Sequence, residues 1–206
     1  MYALVEDNSI TKIFPGPKGF EHNGNQYSPD IFFKWSKAEK EAIGLYEVTT
    51  DSTNYKDEQW YINTNESFTF NSGKVTRSWG TATPKKHTDT LWTEEDKTDG
   101  NIPEGKDVGD VAVEGLKTQL IRTIKQQAAG ILQETDWYII RKADAGTAVP
   151  SSITTHRAAV RTKCAEMETS ITNASDTPAL ETLYTYTKQE DGSITRPLGE
   201  LPMLEA

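Results

Sequence analysis

Residues 153–171 read ITTHRAAVRTKCAEMETSI, and the spacing of their apolar side chains is the strongest structural signal in the chain. Counting Arg157 for its aliphatic stem, these positions are separated by steps of four, three, four, three and four residues. Such spacing predicts a helix with one narrow buried stripe. The stripe consists of Ile153, Arg157, Val160, Cys164, Met167 and Ile171.

A second helix with a similar stripe is predicted just upstream, ending near Glu134. The segment from Leu132 to Lys142 is rich in aromatic and aliphatic residues, a small-residue turn follows, and Pro150 favours the start of the second helix. Two helices joined in this way predict a helical hairpin within a domain at 111–187. The upstream stripe contains Val113, Leu116, Leu120, Ile124, Ala128 and Ile131.

A third, short helix is predicted to begin at Thr177-Pro178, with the threonine as its cap, and to run to about Tyr186. Residues 188–206 contain glycines and prolines and are predicted to form an extended arm. Leu198, Leu201 and Leu204 make this arm apolar enough to dock on a partner.

Residues 1–92 are predicted to form a small β-rich domain with one short helix. Short apolar runs alternate with turn signals such as Asn23-Gly24, which favours a type I′ turn. Ser36 and Glu39 have the spacing of a capping box that starts the helix, and Gly44 is expected to end it. The tryptophans of this region are interpreted as core residues of the sheet.

Residues 93–110 contain seven acidic residues, three glycines and one proline, and are predicted to form an acidic linker. A calcium loop centred on Gly100 is excluded because Lys97 and Lys106 would occupy ligand positions. The fold class expected for the whole chain is α+β: a β-rich N-terminal domain, an acidic linker and a C-terminal helical hairpin.

Composition narrows the classes of function. The 206 residues have a net charge of −9, which disfavours binding to nucleic acid or to an anionic membrane surface. The single cysteine, Cys164, has no intrachain partner and is expected to be buried in a protein of a reducing cytoplasm. No apolar run approaches the length of a membrane span, so a soluble, unexported chain is expected.

The sequence offers no recognisable catalytic or cofactor motif. The three histidines lack a second ligand at metal spacing, and Pro15 and Pro17 would remove backbone donors from the one segment that resembles a phosphate loop. We therefore expect a protein that is not an enzyme and has no metal or organic cofactor. A carboxylate pair assembled only in three dimensions would leave no such trace.

Trp137 allows two interpretations. It either fills the closed end of the hairpin next to a chain-turning Asp136, or it is an aromatic anchor for a partner. In the second case Tyr138, Arg157 and Arg161 would surround it. In the first case the cationic residues near this end simply form a solvent-exposed face.

The segment Leu132-x-x-Thr135-Asp136-Trp137, followed by a helix with Arg157-x-x-x-Arg161, resembles the C-terminal part of bacteriophage tail-fibre assembly proteins. The stretch from Trp35 to Val48, with Ser36, Glu39 and Gly44-Leu45, resembles the beginning of such proteins. His156 departs from the family pattern, which has a tyrosine there.

The resemblance implies a non-enzymatic chaperone that helps tail fibres fold or assemble and can stay docked on the fibre in the virion. The alternative is a structural virion subunit, such as a tail fibre, adaptor or baseplate component, without a chaperone role. The implied partner is a tail-fibre or baseplate protein, and an oligomer matching a trimeric fibre is compatible with it. The implied location is the host cytoplasm during assembly, with the virion tail as a second one.

Overall fold

The structure is a computed structural model that describes residues 1–204. The protein has mixed α+β structure, and the chain divides into two compact units, Met1–Thr83 and Pro84–Ala206. Within residues 1–204, none of the helices combines the length and apolar character needed to cross a membrane.

The first unit contains eight strands and two short helices, and a ninth strand crosses its boundary. The helices are α1 (Ile31–Lys34) and α2 (Lys37–Ala42). The strands are β1 (Tyr2–Glu6), β2 (Ser9–Phe14), β3 (Phe20–His22), β4 (Asn25–Tyr27), β5 (Leu45–Thr50), β6 (Tyr61–Ile62), β7 (Ser67–Asn71) and β8 (Lys74–Ser78), with β9 (Thr83–Pro84) at the boundary.

A five-stranded sheet organises this unit in the order β2-β1-β5-β8-β7. Strand β1 pairs antiparallel with β2 and β5, whereas β5 pairs parallel with β8. Successive side chains of β1 point to opposite faces, so Leu4 packs in one apolar cluster while Ala3 and Val5 pack in another with Val75. The first cluster contains Leu4, Phe14, Phe20, Ile31, Phe32 and Leu45.

The turn and the helix cap that were predicted for this unit are present in the structure. Asn23 and Gly24 both have positive φ, as a type I′ turn demands. The hydroxyl of Ser36 accepts from the backbone N–H of Glu39, whose carboxylate accepts from the backbone N–H of Ser36, so the capping box is confirmed. Gly44 follows helix α2 with φ of 78°.

The second unit is mainly helical. Its strands are β10 (Thr90–Leu91), β11 (Val111–Val113), β12 (Thr187–Lys188) and β13 (Ile194–Thr195). Its helices are α3 (Glu94–Thr98), α4 (Leu116–Gln133), α5 (Asp136–Ala145), α6 (Ser151–Asn173) and α7 (Thr177–Tyr184).

Helices α4 and α6 pack against each other, but the predicted upstream stripe is wrong at Val113, which lies in β11 and is exposed. Every member of the α6 stripe is buried, including Arg157 and Cys164, and His156 is buried beside them. On α4, Ile124 and Ala128 are buried, while Leu120 and Ile131 are half-buried. Burial of one face of each helix supplies most of the free energy that holds such a pair together.

Residues 93–110 differ from the expected linker. Strands β10 and β11 pair on either side of them, and backbone hydrogen bonds join Trp92 to Gly109 and Asp110. Thr93 and Asp96 form a second capping box that starts α3. The acidic segment is therefore a loop closed at its base, because its capping side chains and backbone pairs compensate for its lack of apolar residues.

The predicted cap of α7 is one residue out of place. The carboxylate of Asp176 accepts from the backbone N–H of Ala179, and Thr177 is the first helical residue. Thr177 is buried instead, and its hydroxyl donates to the carbonyl of Lys85 at 2.6 Å.

Candidate protein-binding surface

The candidate site starts from a buried arginine. Arg157 is only 7% exposed, and its Nη1 donates to the carbonyl of Leu132 at 2.6 Å and to the hydroxyl of Thr135 at 2.7 Å. Its Nη2 donates to Asp136 Oδ1 at 2.8 Å. The Leu132 carbonyl belongs to the last turn of α4, where carbonyls lack partners within the helix. Arg157 of α6 thus connects the end of α4 to the beginning of α5.

The charges in this network suit the helix ends that they occupy. A cation is stabilised near the carboxyl end of α4, and the carboxylate of Asp136 is stabilised in the first turn of α5. Arg157 was predicted to face a partner, and this prediction is corrected here because its donors are used inside the chain. Its Nε is buried without a hydrogen-bond partner among the described residues, as is His156 Nε2.

Helix α5 presents large apolar side chains to solvent. Trp137 is 49% exposed, Ile139 43% and Ile140 67%, and α5 has no buried residue. The expected short aromatic connection is therefore a separate helix, which Gly146 ends with a left-handed φ of 69°. Three exposed apolar residues on one ten-residue helix make it the candidate binding surface.

The aromatic pair at the start of α5 is ordered by stacking. The rings of Trp137 and Tyr138 lie 3.8 Å apart between centroids, with an angle of 30°. The guanidinium carbon of Arg141 lies 4.7 Å from the Trp137 ring and 5.5 Å from the Tyr138 ring. These two cation–π contacts hold the three side chains as one unit without burying them. We define the α5 surface as Trp137, Tyr138, Ile139, Ile140 and Arg141.

Arg161, the fourth residue predicted around Trp137, is exposed one turn beyond Arg157 on α6. Its Nη1 donates only weakly to the Arg157 carbonyl, at 3.4 Å. Of the residues predicted to bind a partner at this end, Trp137, Tyr138 and Arg161 are therefore accessible. Arg157 is not.

The C-terminal arm is used partly by its own chain. Leu198 is 2% exposed and its N–H donates to the Leu183 carbonyl, so the prediction that it contacts a partner is corrected. Leu201 is half-buried and Leu204 is exposed. A groove of ≈ 590 Å³ runs between the arm and helix α4, with Leu201 and Ile131 on its walls.

A second concave surface lies in the first unit. It has a volume of ≈ 500 Å³ and a polar lining that includes Glu6, His22 and Asn23. Both ring nitrogens of His22 are engaged, Nδ1 with Glu6 at 2.9 Å and Nε2 with the Asn23 amide at 3.1 Å. Among residues 1–204 no three His, Cys, Asp or Glu side chains lie together as metal ligands would.

Comparisons with protein-family models, with curated proteins and with solved structures gave no match for this chain.

Sequence reasoning missed the helical state of residues 136–145 and the exposure of Ile139 and Ile140. One signal could have revealed the Arg157 network. A charged residue at a stripe position of a helix needs a partner of opposite charge, and Asp136 is an acidic residue at the same end of the hairpin.

Proposed function

We propose that this chain is a phage tail-fibre-associated protein that assists fibre folding or assembly and can stay docked on the fibre in the virion. One observation carries the proposal. Four of the residues behind the resemblance, Leu132, Thr135, Asp136 and Arg157, meet around a single guanidinium. The residues of this sequence pattern contact one another in the fold and so form one structural unit. This supports the family resemblance more strongly than the matching residues alone.

In this proposal the unit holds α5 in position and α5 contacts the partner. The proposed layout keeps a β-rich part to about residue 92, an acidic connection at 93–110, a helical part at 111–187 and a C-terminal arm at 188–206. Trp137, Tyr138 and Arg161, with Leu201 and Leu204 of the arm, contact a tail-fibre or baseplate protein. The role is non-enzymatic and uses no cofactor, nucleic acid or membrane.

The alternative is a structural virion subunit without a chaperone role. The exposed apolar side chains of α5 favour this alternative. Permanent interfaces are more hydrophobic than transient ones, and a permanent interface would keep Ile139 and Ile140 out of water. Mass spectrometry of purified virions separates a protein that stays in the virion from a chaperone that leaves it. A constant stoichiometric amount supports a subunit or a docked chaperone, whereas absence from virions supports a chaperone that departs into the host cytoplasm.

The direct test is co-expression with the tail-fibre protein of the same phage, followed by affinity purification of the fibre. We expect a complex, and we expect more soluble trimeric fibre when this chain is present. Trp137→Ala should abolish the complex, whereas Phe33→Ala, which removes an exposed aromatic ring from the first unit, should not. Equal yields of trimeric fibre with and without this chain, together with no complex, would overturn the proposal.

A further inference from the structure

Three exposed cations lie on or near α5 without a neutralising carboxylate among the described residues. Arg141, Lys142 and Arg161 are exposed, and none of them has an ion-pair partner within residues 1–204. Other cations of the helical unit do form ion pairs, as Arg122 does with Glu114 and Lys125 with Glu168. What sets these three cations apart is that they lie on or near the helix that exposes Trp137, Ile139 and Ile140.

We propose that the α5 surface binds an acidic peptide segment of a partner protein, one in which carboxylates alternate with apolar side chains. This inference rests on the proposed function in that it assigns the partner's chemistry at the same surface. It commits to an acidic protein segment because the charges of α5 complement one.

Arg141 is prepared for a carboxylate. Its guanidinium lies over the Trp137 and Tyr138 rings, which restrains the side chain, and it makes no hydrogen bond to the described residues. A guanidinium that stacks by its face keeps its N–H edges free for a bidentate carboxylate. Fixing the side chain in advance lowers the entropy that binding would otherwise cost.

The acidic residues of this region weaken the cationic field only in part. Asp136 is neutralised by Arg157 at 2.8 Å. Glu134 precedes the helix, and Asp144 lies in its last turn, three residues from Arg141. Arg141, Lys142 and Arg161 therefore outnumber the unpaired carboxylates nearby, and the field at Trp137 favours an anion.

The apolar side chains of the α5 surface distinguish between a nucleic acid, an anionic lipid surface and an acidic peptide as the partner. Burial of the exposed side chains is favourable only against an apolar surface, and a nucleic acid does not offer one. These side chains are Trp137, Ile139 and Ile140. An anionic lipid surface would offer apolar groups, but its extended charge would also meet other acidic residues of a chain of net charge −9, whereas a short peptide contacts α5 alone. A peptide that carries both carboxylates and apolar side chains satisfies both parts of the surface.

The test uses fluorescent twelve-residue peptides and the full chain in anisotropy titrations. One peptide alternates glutamate with leucine, and its matched control alternates glutamine with leucine. We expect the acidic peptide to bind at least about tenfold more tightly, and this preference to shrink between about 50 and 300 mM salt. Equal binding of the two peptides, or an unchanged preference at high salt, would overturn the inference.

Matched charge variants assign the site. The double variant Arg141→Gln, Lys142→Gln should lose at least about tenfold in affinity for the acidic peptide. The control double variant Lys106→Gln, Lys188→Gln removes the same charge from exposed positions outside α5 and should bind as the wild type does. Equal losses in both would overturn the inference, as would self-association of the chain through α5 or tighter binding to vesicles of phosphatidylserine than to the peptide.

The fibre co-purification separates this inference from the proposed function. A fibre complex that survives both the double charge variant and high salt would retain the function and refute the acidic partner. Acidic-peptide binding that depends on Arg141 and Lys142, without any fibre complex, would retain the binding chemistry and refute the fibre.

Discussion

Arg157 Nη2 lies 2.8 Å from Asp136 Oδ1, although the two residues are 21 positions apart in the chain. The arginine is buried and the aspartate side chain is half exposed, so the pair spans the boundary between the helical interior and solvent. The buried cation is compensated by three acceptors, one in the last turn of α4, one between α4 and α5, and one at the start of α5. The position of α5 therefore depends on a residue of α6.

Truncation of Arg157 should destabilise the helical unit strongly. Arg157→Ala removes one donor from the Leu132 carbonyl and the donor of the Thr135 hydroxyl and opens a cavity, so we expect a loss of about 2–4 kcal/mol. Arg157→Lys should also destabilise, because an ammonium group cannot reproduce the fork of donors. Chemical denaturation followed by circular dichroism measures both effects.

The control is Arg161→Ala, which removes an exposed arginine one turn away and should change stability by less than about 0.5 kcal/mol. Asp136→Asn should cost about 1 kcal/mol or less, because the carboxylate is half exposed and its attraction is screened. Equal stability of Arg157→Ala and Arg161→Ala would contradict the buried network.

The stripes of α4 and α6 could be predicted because helical periodicity is a local property of the sequence. The bounds of α6 followed from Pro150 and from the spacing between Ile153 and Ile171, and burial of Cys164 followed from its stripe position. The capping box of Ser36 was predictable for the same reason, since it involves residues only three positions apart.

The remaining differences arise from tertiary contacts. Helix α5 lacks an apolar stripe, so periodicity could not distinguish it from a connection. The acidic loop is ordered by the pairing of β10 with β11 outside it. Of the tryptophans expected in the sheet core, Trp60 is buried, whereas Trp35 only flanks the cluster formed around Phe14 and Phe32. Whether a phenylalanine or a tryptophan fills the core depends on the shape of the space between the packed elements. The amino-acid composition does not specify that shape.

Gly44 should not tolerate a side chain. A Cβ at this position would overlap the carbonyl oxygen of Val5, whose pairing with the Gly44 region joins β1 to the start of β5. Its φ of 78° adds backbone strain for any other residue. We expect Gly44→Ala to destabilise the first unit by more than about 2 kcal/mol, measured by denaturation followed by tryptophan fluorescence.

The matched control for this substitution is Gly73→Ala. Gly73 has a similar φ of 75°, but nothing lies within 4 Å of a Cβ added there. Its cost should be about 1 kcal/mol, the backbone strain alone. Similar losses at the two glycines would mean that the contact with Val5 contributes nothing.

Stability should depend on pH through Glu39. Hydrogen bonds from the Ser36 hydroxyl and then from the Ser36 backbone N–H lower the pKa of Glu39 below its ordinary value. Because the folded state lowers this pKa, the stabilisation is complete above the unfolded pKa, about 4.3, and is lost as pH falls through the folded value.

Denaturation midpoints at pH 7 and pH 3 should therefore differ less in Glu39→Gln than in the wild type. Glu58→Gln, a change at an exposed carboxylate of the same unit outside any capping box, serves as the control. An NMR titration that gave Glu39 an ordinary or raised pKa would contradict the assignment.

Cys164 should react slowly in the native protein. Burial raises the pKa of its thiol, and the hydrogen bond that its Sγ donates to Glu168 at 3.4 Å raises it further. Since the thiolate is the reactive form, a disulfide reagent at pH 8 should modify the native protein at least about tenfold more slowly than the denatured chain. Glu168→Gln should accelerate the reaction, whereas Glu166→Gln should not. Equal rates for native and denatured protein would contradict burial of the thiol.

Trp137 should be dispensable for folding and required for binding. Because the side chain is 49% exposed and is supported mainly by Tyr138 and Arg141, Trp137→Ala should cost about 1 kcal/mol of stability or less. Ile171→Ala, a truncation at a fully buried position of α6, should cost about 2–5 kcal/mol and calibrates the measurement. The same Trp137→Ala protein should lose at least about 2 kcal/mol of binding to its partner, as truncation of an interface hot spot does. Thermal melting of the free variant and titration with the purified partner give the two numbers. A large loss of stability would make Trp137 a core residue, and unchanged binding by a folded variant would remove it from the interface.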